Sequence, residues 1–171
     1  KILNELNLKN KNIGIEYDSY GLTGYNAIKL NKTLENFANL SDYSFLISKL
    51  RLVKSKAELN YIRKAAQLAD KALENAWSLA HPGSNEADIL AAMQGAVLKG
   101  GGDYPGNEFI IGSGNNALLC RYFSGRRKLD PIDQLTLEFA GVYRHYHSAL
   151  MRTIPIGQAK TKHFHMHKIC L

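Results

Sequence analysis

The sequence is poor in cysteine, proline and long apolar runs. Its 171 residues include two cysteines, four prolines and one tryptophan. Two cysteines are too few for a secreted, disulfide-held scaffold, so we expect Cys120 and Cys170 to be small, buried or half-buried thiols in a reducing cytoplasm. No apolar run approaches the roughly 20 residues that cross a bilayer, and we expect no membrane partner.

Acidic residues are also scarce relative to basic ones. Lys and Arg number 22 against 15 Asp and Glu, giving a formal net charge of +7. A basic balance is typical of some nucleic-acid-binding proteins. Here the lysines are scattered and the densest basic run is only 126–128, so we expect no nucleic-acid partner. The chain begins at Lys1 and stops within the start of a helix, which predicts a piece of a longer protein.

The first fifty residues predict a small βα arrangement. Residues 12–16 read as a short strand, and a helix is predicted from Thr23 to about Leu34. The stretch from Asp42 to Leu50 is predicted to be a short connecting helix or turn.

Two helices are predicted next from their cap signals. Ser55-x-x-Glu58 is a capping box, in which each side chain bonds the other residue's backbone N–H. Apolar residues recur at helical spacing after it. Pro82-Gly83 is predicted to end that helix, Ser84 to cap the next one, and Gly100–Gly102 to stop it after Lys99.

The second half is rich in predicted strands, at 108–111, 135–142 and 146–155. Helices followed by strands favour an α+β fold over a doubly wound sheet.

Three segments carry a family resemblance. They are Leu50-Arg-Leu-Val-Lys-Ser55, Gly112-Ser-Gly-Asn-Asn-Ala117, and the run from Glu138 to Gly157. In this order they resemble the creatinase and aminopeptidase P family, the M24 or pita-bread superfamily. The resemblance implies that residues 50–171 are the first half of a pita-bread domain. It implies that residues 1–49 are the tail of a smaller N-terminal α/β domain, and that the full-length protein is a homodimer.

The same segment departs from the metal-dependent members of that family. Those members carry two metal-binding Asp residues eleven positions apart, where this chain has Glu138 and Ala149. They also place a His where this chain has Arg121. Two carboxylates are normally needed to bridge a pair of hard cations. The resemblance with these departures therefore predicts a site with no metal and no cofactor.

Glu138 and Arg121 are the leading candidates for the chemistry. Glu138 is flanked by apolar residues, so we expect a buried carboxylate acting as nucleophile or general base. The alternative is a structural pair with Arg152 or another internal cation. Arg121 and Tyr122 are predicted to bind a zwitterionic substrate, the guanidinium holding a carboxylate and the ring a cation. The alternative for Arg121 is a surface position beside core aromatics.

Two groups of histidines are further candidates. His145 and His147 would point the same way on a strand, which suits a catalytic His147 and a substrate-binding His145. The alternative is a turn residue followed by a hydrogen-bonded strand histidine. His163, His165 and His167 are predicted to lie on a solvated helix end.

Within the family, the segments around Arg121 and Glu138 look most like ectoine hydrolase. This predicts a cytoplasmic, metal-independent hydrolase that opens a small cyclic amidine to an N-acetyl-diaminobutyrate. Two alternatives stay open: an Xaa-Pro metallopeptidase with altered ligands, and a non-catalytic binding module of the same fold.

Overall fold

The computed structural model describes residues 1–119, 121 and 124–171. They form two compact units, Lys1–Lys54 and Ser55–Leu171. No helix in these ranges is both long enough and apolar enough to span a membrane.

The first unit is a parallel two-stranded sheet with three helices. Its elements in chain order are α1 (Ile2–Glu5), β1 (Asn12–Ile15), α2 (Gly24–Leu34), β2 (Asn39–Asp42) and α3 (Leu46–Leu50). Strands β1 and β2 pair in parallel, with Ile13 opposite Leu40. The predicted strand at 12–16 and the predicted helix from Thr23 are confirmed. Strand β2 was not predicted, because Asn39-Leu-Ser-Asp42 contains no β-branched or aromatic residue.

The second unit opens with the long helix α4 (Lys56–Leu79). The predicted capping box is present: the Glu58 N–H donates to Ser55 Oγ at 3.3 Å, and the Ser55 N–H donates to Glu58 Oε2 at 2.6 Å. One face of the helix is buried in the core, with the residues Ala65, Leu68, Ala69, Ala72, Leu73 and Ala76. The small side chains on this face allow a close approach to the sheet.

Helix α5 (Glu86–Lys99) follows and ends at Gly100, as predicted. The predicted cap Ser84 is wrong by one residue. Asn85 is the N-cap, and its Oδ1 accepts the Ala87 N–H at 3.0 Å. The Ser84 hydroxyl instead lies 2.9 Å from His81 Nδ1, so it is engaged by the residue three positions earlier.

Three antiparallel strands pack against these helices: β3 (Ile110–Ser113), β4 (Asp133–Tyr143) and β5 (Tyr146–Ile156). Their order is β3-β4-β5. A 3₁₀ helix (Gly114–Leu119) follows β3, and helix α6 (Thr161–Cys170) follows β5. The predicted α+β class is confirmed. Strand β3 starts two residues later than predicted, since its pairing with β4 begins at Ile110 opposite Glu138. The chain before it bonds to the β4–β5 hairpin, where Asp103 N–H donates to the Val142 carbonyl and Gly106 N–H to His147 Nε2.

Helix α4 meets strand β4 at Gly141. A Cβ atom built there would lie 2.0 Å from the Ala65 carbonyl oxygen and 2.4 Å from the Ala69 backbone nitrogen. Real Cβ atoms do not approach backbone so closely, so only glycine fits without moving the helix. This contact fixes which face of the sheet is covered by α4.

A buried carboxylate, Asp133, anchors the start of β4. Its oxygens accept the backbone N–H groups of Gly114, Asp130 and Gln134 at 2.8–2.9 Å, and the Arg127 guanidinium. Burial alone would raise the pKa of Asp133. The hydrogen bonds from Arg127, Asp130 and Gln134 outweigh it and leave the pKa below its ordinary value. The bond to Asp133 likewise raises the pKa of Arg127.

Glu86 is a second buried carboxylate in the same region, and it is fully shielded from solvent. Its Oε1 accepts the Ser113 hydroxyl at 2.6 Å. Its Oε2 accepts the backbone N–H groups of Arg126 and Arg127 at 3.1 and 3.2 Å. A buried charge is tolerated only with such partners. Glu86 therefore ties the end of β3 to the chain that leads back into β4.

Two contacts hold the chain on either side of Arg121. Gly114, directly after β3, donates to Asp133. The Ser124 hydroxyl accepts the Ile111 N–H at 2.8 Å and donates to the Ile111 carbonyl at 2.9 Å. Arg121 lies between Gly114 and Ser124 in the sequence.

We expect Gly141→Ala to destabilise the protein by at least about 2 kcal/mol, because the added methyl group overpacks the helix against the strand. Gly95→Ala is the matched control. Gly95 lies inside α5 with nothing within 4 Å of a built Cβ, so alanine there should stabilise by about 0.5–1 kcal/mol. Thermal unfolding midpoints of the full-length variants check this, and equal shifts of the same sign would contradict the packing argument.

Asp133→Asn should lower the free energy of unfolding at pH 7 by about 2 kcal/mol, as expected for losing hydrogen bonds to a charged group. The folded pKa lies below the unfolded value of about 3.9. The wild-type contribution is therefore complete above about pH 5 and is lost as the pH falls through the folded pKa.

Urea unfolding of wild type and Asp133→Asn from pH 7 to pH 3 should show the difference shrinking towards acid. Asp70→Asn, at an exposed site on α4, is the control and should stay within about 0.5 kcal/mol of wild type. A difference between wild type and Asp133→Asn that does not change with pH would contradict the predicted titration.

Candidate functional site

The site lies on the face of the sheet that α4 leaves open. Along β4 the residues Leu135, Leu137 and Phe139 are buried, whereas Thr136 and Glu138 between them are partly exposed. Alternate residues of a strand point to opposite faces. Glu138 therefore shares the open face, opposite Met151 on β5 and Ile110 on β3.

An open cleft of about 380 Å³ is formed on this face. Its floor is made of β4 and β5 residues, and the irregular segment before β3 forms one rim. The lining residues are Pro105, Gly106, Asn107, Glu108, Glu138, Phe139, Ala140, His147 and Ala149. The cleft thus brings together predicted residues from two strands and a rim that the sequence did not single out.

Glu138 is not buried as expected, because its side chain is 39% exposed. Its apolar neighbours along the strand face the opposite side of the sheet, so they do not enclose it. The cation beside it is Arg121, whose Nη2 lies 3.7 Å from Glu138 Oε1. Arg152, the named alternative partner, instead donates from Nη1 to the Met151 carbonyl at 2.8 Å.

Arg121 has a second carboxylate partner, Glu108 on the rim of the cleft. Arg121 Nη1 lies 3.6 Å from Glu108 Oε1. Both separations exceed the hydrogen-bond range, so the guanidinium holds the two carboxylates by charge attraction across slightly longer gaps. Glu108 was not predicted as a site residue, because it was assigned to a strand and no local sequence pattern links it to Arg121.

His147 is engaged at both ring nitrogens. Nε2 accepts the Gly106 backbone N–H at 2.9 Å, and Nδ1 lies 2.9 Å from the His145 carbonyl oxygen. A carbonyl can only accept, so this arrangement assigns the ring proton to Nδ1. His147 therefore joins the Gly106 rim to strand β5.

His145 does not share a strand face with His147, so the premise of the histidine pair is wrong. It is the second residue of the two-residue turn between β4 and β5, with φ of 65° after 50° at Arg144. Two positive φ values in succession are typical of a type I′ hairpin turn. The exposed His145 contributes its backbone: its N–H donates to Asp103 Oδ2 at 3.1 Å. The alternative of a turn residue followed by a hydrogen-bonded strand histidine describes the observed geometry.

The remaining predicted residues lie elsewhere. Tyr122 and Cys120 fall outside the described residues. His163, His165 and His167 all lie in α6. His165 and His167 are exposed and His163 is half-buried, which agrees with the predicted solvated helix end. Cys170 is an exposed free thiol, so its expected burial is wrong.

The described residues on the open face of the sheet provide few atoms that could bind a metal ion. Ala149 pairs with Ala140, and Glu138 pairs with Met151 two residues further along β5. Glu138 and Ala149 are therefore diagonal neighbours on one face, close enough for two carboxylates to converge on one ion. Ala149 has no donor atom, and both His147 nitrogens are committed. Among the described residues, no group of three or more His, Cys, Asp or Glu side chains could hold a metal ion. These residues do not fit a pair of hard cations.

Comparisons with known proteins agree on the family. The model of metallopeptidase family M24 matches residues 60–171. An Xaa-Pro dipeptidase of Pyrococcus furiosus is 28% identical over 165 residues, covering 96% of this chain and 46% of the relative.

Two solved structures are similar over the whole described fold. An Xaa-Pro dipeptidase from Bacillus anthracis and a prolidase from Pyrococcus furiosus each superpose with a TM-score of 0.81 at 27% identity, covering 98% of this chain. This chain covers 46% and 48% of those two chains, so it spans about half the length of the relatives it matches. The predicted resemblance and the predicted half of a pita-bread domain are confirmed. Because the family model matches most of its residues, the chain belongs to metallopeptidase family M24, whose creatinase and aminopeptidase P-like members have the pita-bread fold.

Proposed function

We propose that this chain supplies half of the active site of a hydrolase that breaks a C–N bond without a metal pair at Glu138. The observation that carries the proposal is the open-face geometry. The two diagonal positions that would converge on an ion hold one carboxylate and one methyl group. The single carboxylate faces a guanidinium at 3.7 Å. A small cyclic amidine of the ectoine type is the substrate class we favour.

Glu138 is the proposed general base. Its carboxylate would take a proton from a water molecule in the cleft, and the oxygen would attack the amidine carbon between its two nitrogens. The tetrahedral adduct would then collapse with loss of one nitrogen. That nitrogen would receive the proton held by Glu138, leaving an amide and an amine. The overall change is the addition of one water across the C–N bond.

The other predicted residues have supporting places in this scheme. Arg121 faces Glu138 at 3.7 Å and would orient its carboxylate by charge attraction. His147 lines the cleft and holds the Gly106 rim, so its proposed contribution is to shape the cleft as well as to face the substrate. Substrate contact by Tyr122 and His145 stays a prediction. A homodimer and a cytoplasmic location of the full-length protein also stay predictions.

A second candidate is an Xaa-Pro dipeptidase or aminopeptidase that uses altered metal ligands. It is favoured by the relatives, since the P. furiosus protein and the B. anthracis structure are both described as Xaa-Pro dipeptidases. This candidate requires metal ligands from outside the described residues. A third candidate, a binding module without catalysis, is disfavoured by the partly exposed carboxyl group of Glu138 in the cleft lining.

We expect Glu138→Gln in the full-length protein to keep the fold and substrate binding but to lose about a thousandfold in kcat. The amide has the same shape and cannot accept the proton, and a thousandfold corresponds to about 4 kcal/mol of transition-state stabilisation. Steady-state kinetics with a cyclic amidine substrate measures it. Glu74→Gln is the control, since Glu74 pairs with Lys71 on the exposed side of α4. Its kcat should stay within about twofold of wild type, and a near-normal kcat for Glu138→Gln would remove Glu138 from the chemistry.

Chelation separates the two leading candidates. After dialysis against EDTA, the full-length protein should hydrolyse a cyclic amidine at an unchanged rate, because the described donors do not form a site for two hard cations. The same preparation should be tested on an Xaa-Pro dipeptide. Loss of dipeptide hydrolysis on chelation, with recovery on adding Mn²⁺, would favour the peptidase candidate and overturn metal independence.

A further inference from the structure

Arg121 occupies the space between two acidic side chains of the cleft. Its two terminal nitrogens face different partners, Nη1 at 3.6 Å from Glu108 and Nη2 at 3.7 Å from Glu138. The three side chains are 46%, 66% and 39% exposed in the order Arg121, Glu108, Glu138. They are thus in reach of solvent and of any small solute that enters the cleft.

Two carboxylates directed at one space repel each other and need a cation between them. In a protein that cation is commonly a divalent ion held by oxygen ligands. Here the ligand set around the space is incomplete, since Ala149 offers no donor and both His147 nitrogens are committed. The guanidinium is the only positive group that the described residues bring to both carboxylates.

We propose that the Arg121 guanidinium serves as a built-in cation between Glu108 and Glu138, in place of a metal ion, and that Glu108 is a positioning residue of the site. Glu108 would hold the guanidinium from the rim so that its other edge stays against the carboxylate of Glu138. The inference rests on the proposed function only in using the same cleft.

The anchoring of the Arg121 segment supports this role. One end is held where Gly114 donates to Asp133, and the other where Ser124 bonds both backbone groups of Ile111. A cation that belongs to a side chain of the protein cannot diffuse away and cannot be removed by a chelator.

The guanidinium also differs from a metal in what it can do. It presents planar N–H donors and has no empty orbital, so it orients and neutralises carboxylates without polarising a bound carbonyl as a Lewis acid does. Two carboxylates and one guanidinium leave one net negative charge in the cleft.

A Mn²⁺ titration of the full-length protein tests the inference without measuring activity. The loss of the free-ion electron paramagnetic resonance signal reports bound Mn²⁺. Arg121→Gln removes the cation and leaves Glu108 and Glu138 facing each other, so we expect its Kd for Mn²⁺ to be at least tenfold lower than that of wild type. Arg121→Gln combined with Glu108→Gln should return the affinity to the wild-type level.

Two further variants test whether the gain in Mn²⁺ affinity depends on the charge of Arg121 and on its place beside Glu108 and Glu138. Arg121→Lys keeps a positive charge at this position and should bind Mn²⁺ no better than wild type. Arg152→Gln removes an exposed arginine of β5 that donates to the Met151 carbonyl and forms no ion pair with Glu108 or Glu138, and it should also match wild type.

Equal affinity of wild type and Arg121→Gln for Mn²⁺, including no binding by either, would overturn the inference. So would a gain in Arg121→Gln that persists without Glu108. Neither result would alter the kinetic comparison of Glu138→Gln or the chelation result, so the two proposals can fail separately.

Discussion

The packing of helix α4 on strand β4 decides where chemistry can occur in this chain. At Gly141 the strand lies against the Ala65 and Ala69 backbone with no room for a side chain, and the alanines of α4 on this face are fully buried. The helix therefore covers the odd-numbered side chains of β4 from Leu135 to Phe139 and leaves the even-numbered ones open. The partial exposure of Glu138 follows from this parity, since a shift of one residue would place it in the core.

A second constraint brings a cation to that open face. The segment from β3 to β4 carries Arg121, and two buried carboxylates, Asp133 and Glu86, hold its flanking chain through backbone N–H groups. Every residue except proline has a backbone N–H group. These hydrogen bonds therefore do not depend on which side chains the segment carries. The buried network thus acts on the site by placing a backbone, while the exposed ion pairs with Glu108 and Glu138 are individually weak.

Much of the fold was predictable because its signals are local. The Ser55 capping box, the glycines after Lys99 and the apolar pattern of β4 and β5 each act within a few residues, and the structure confirms them. The family resemblance predicted how these elements assemble, as the first half of a pita-bread domain. The contacts of the site were less predictable, because they join residues far apart in sequence. Glu138 was expected to be buried because its sequence neighbours are apolar, although those neighbours face the other side of the sheet. The ion pair of Glu108 with Arg121 depends on the position of the cleft rim, and the backbone hydrogen bond of His145 depends on the hairpin turn. Neither contact can be predicted from residue spacing.

The methyl group at Ala149 and the pairing of Arg121 with Glu138 have one chemical consequence in common. A carboxylate bound to a divalent ion has its lone pairs engaged and is a poor base, because the ion competes with the proton for them. A carboxylate with a guanidinium 3.7 Å away, beyond hydrogen-bond range, has lone pairs that remain open to water. The same strand position can therefore serve as a ligand in one setting and as a base in the other. On the proposed function, the methyl group at Ala149 allows Glu138 to act as a base, and the sheet that carries both residues can stay the same.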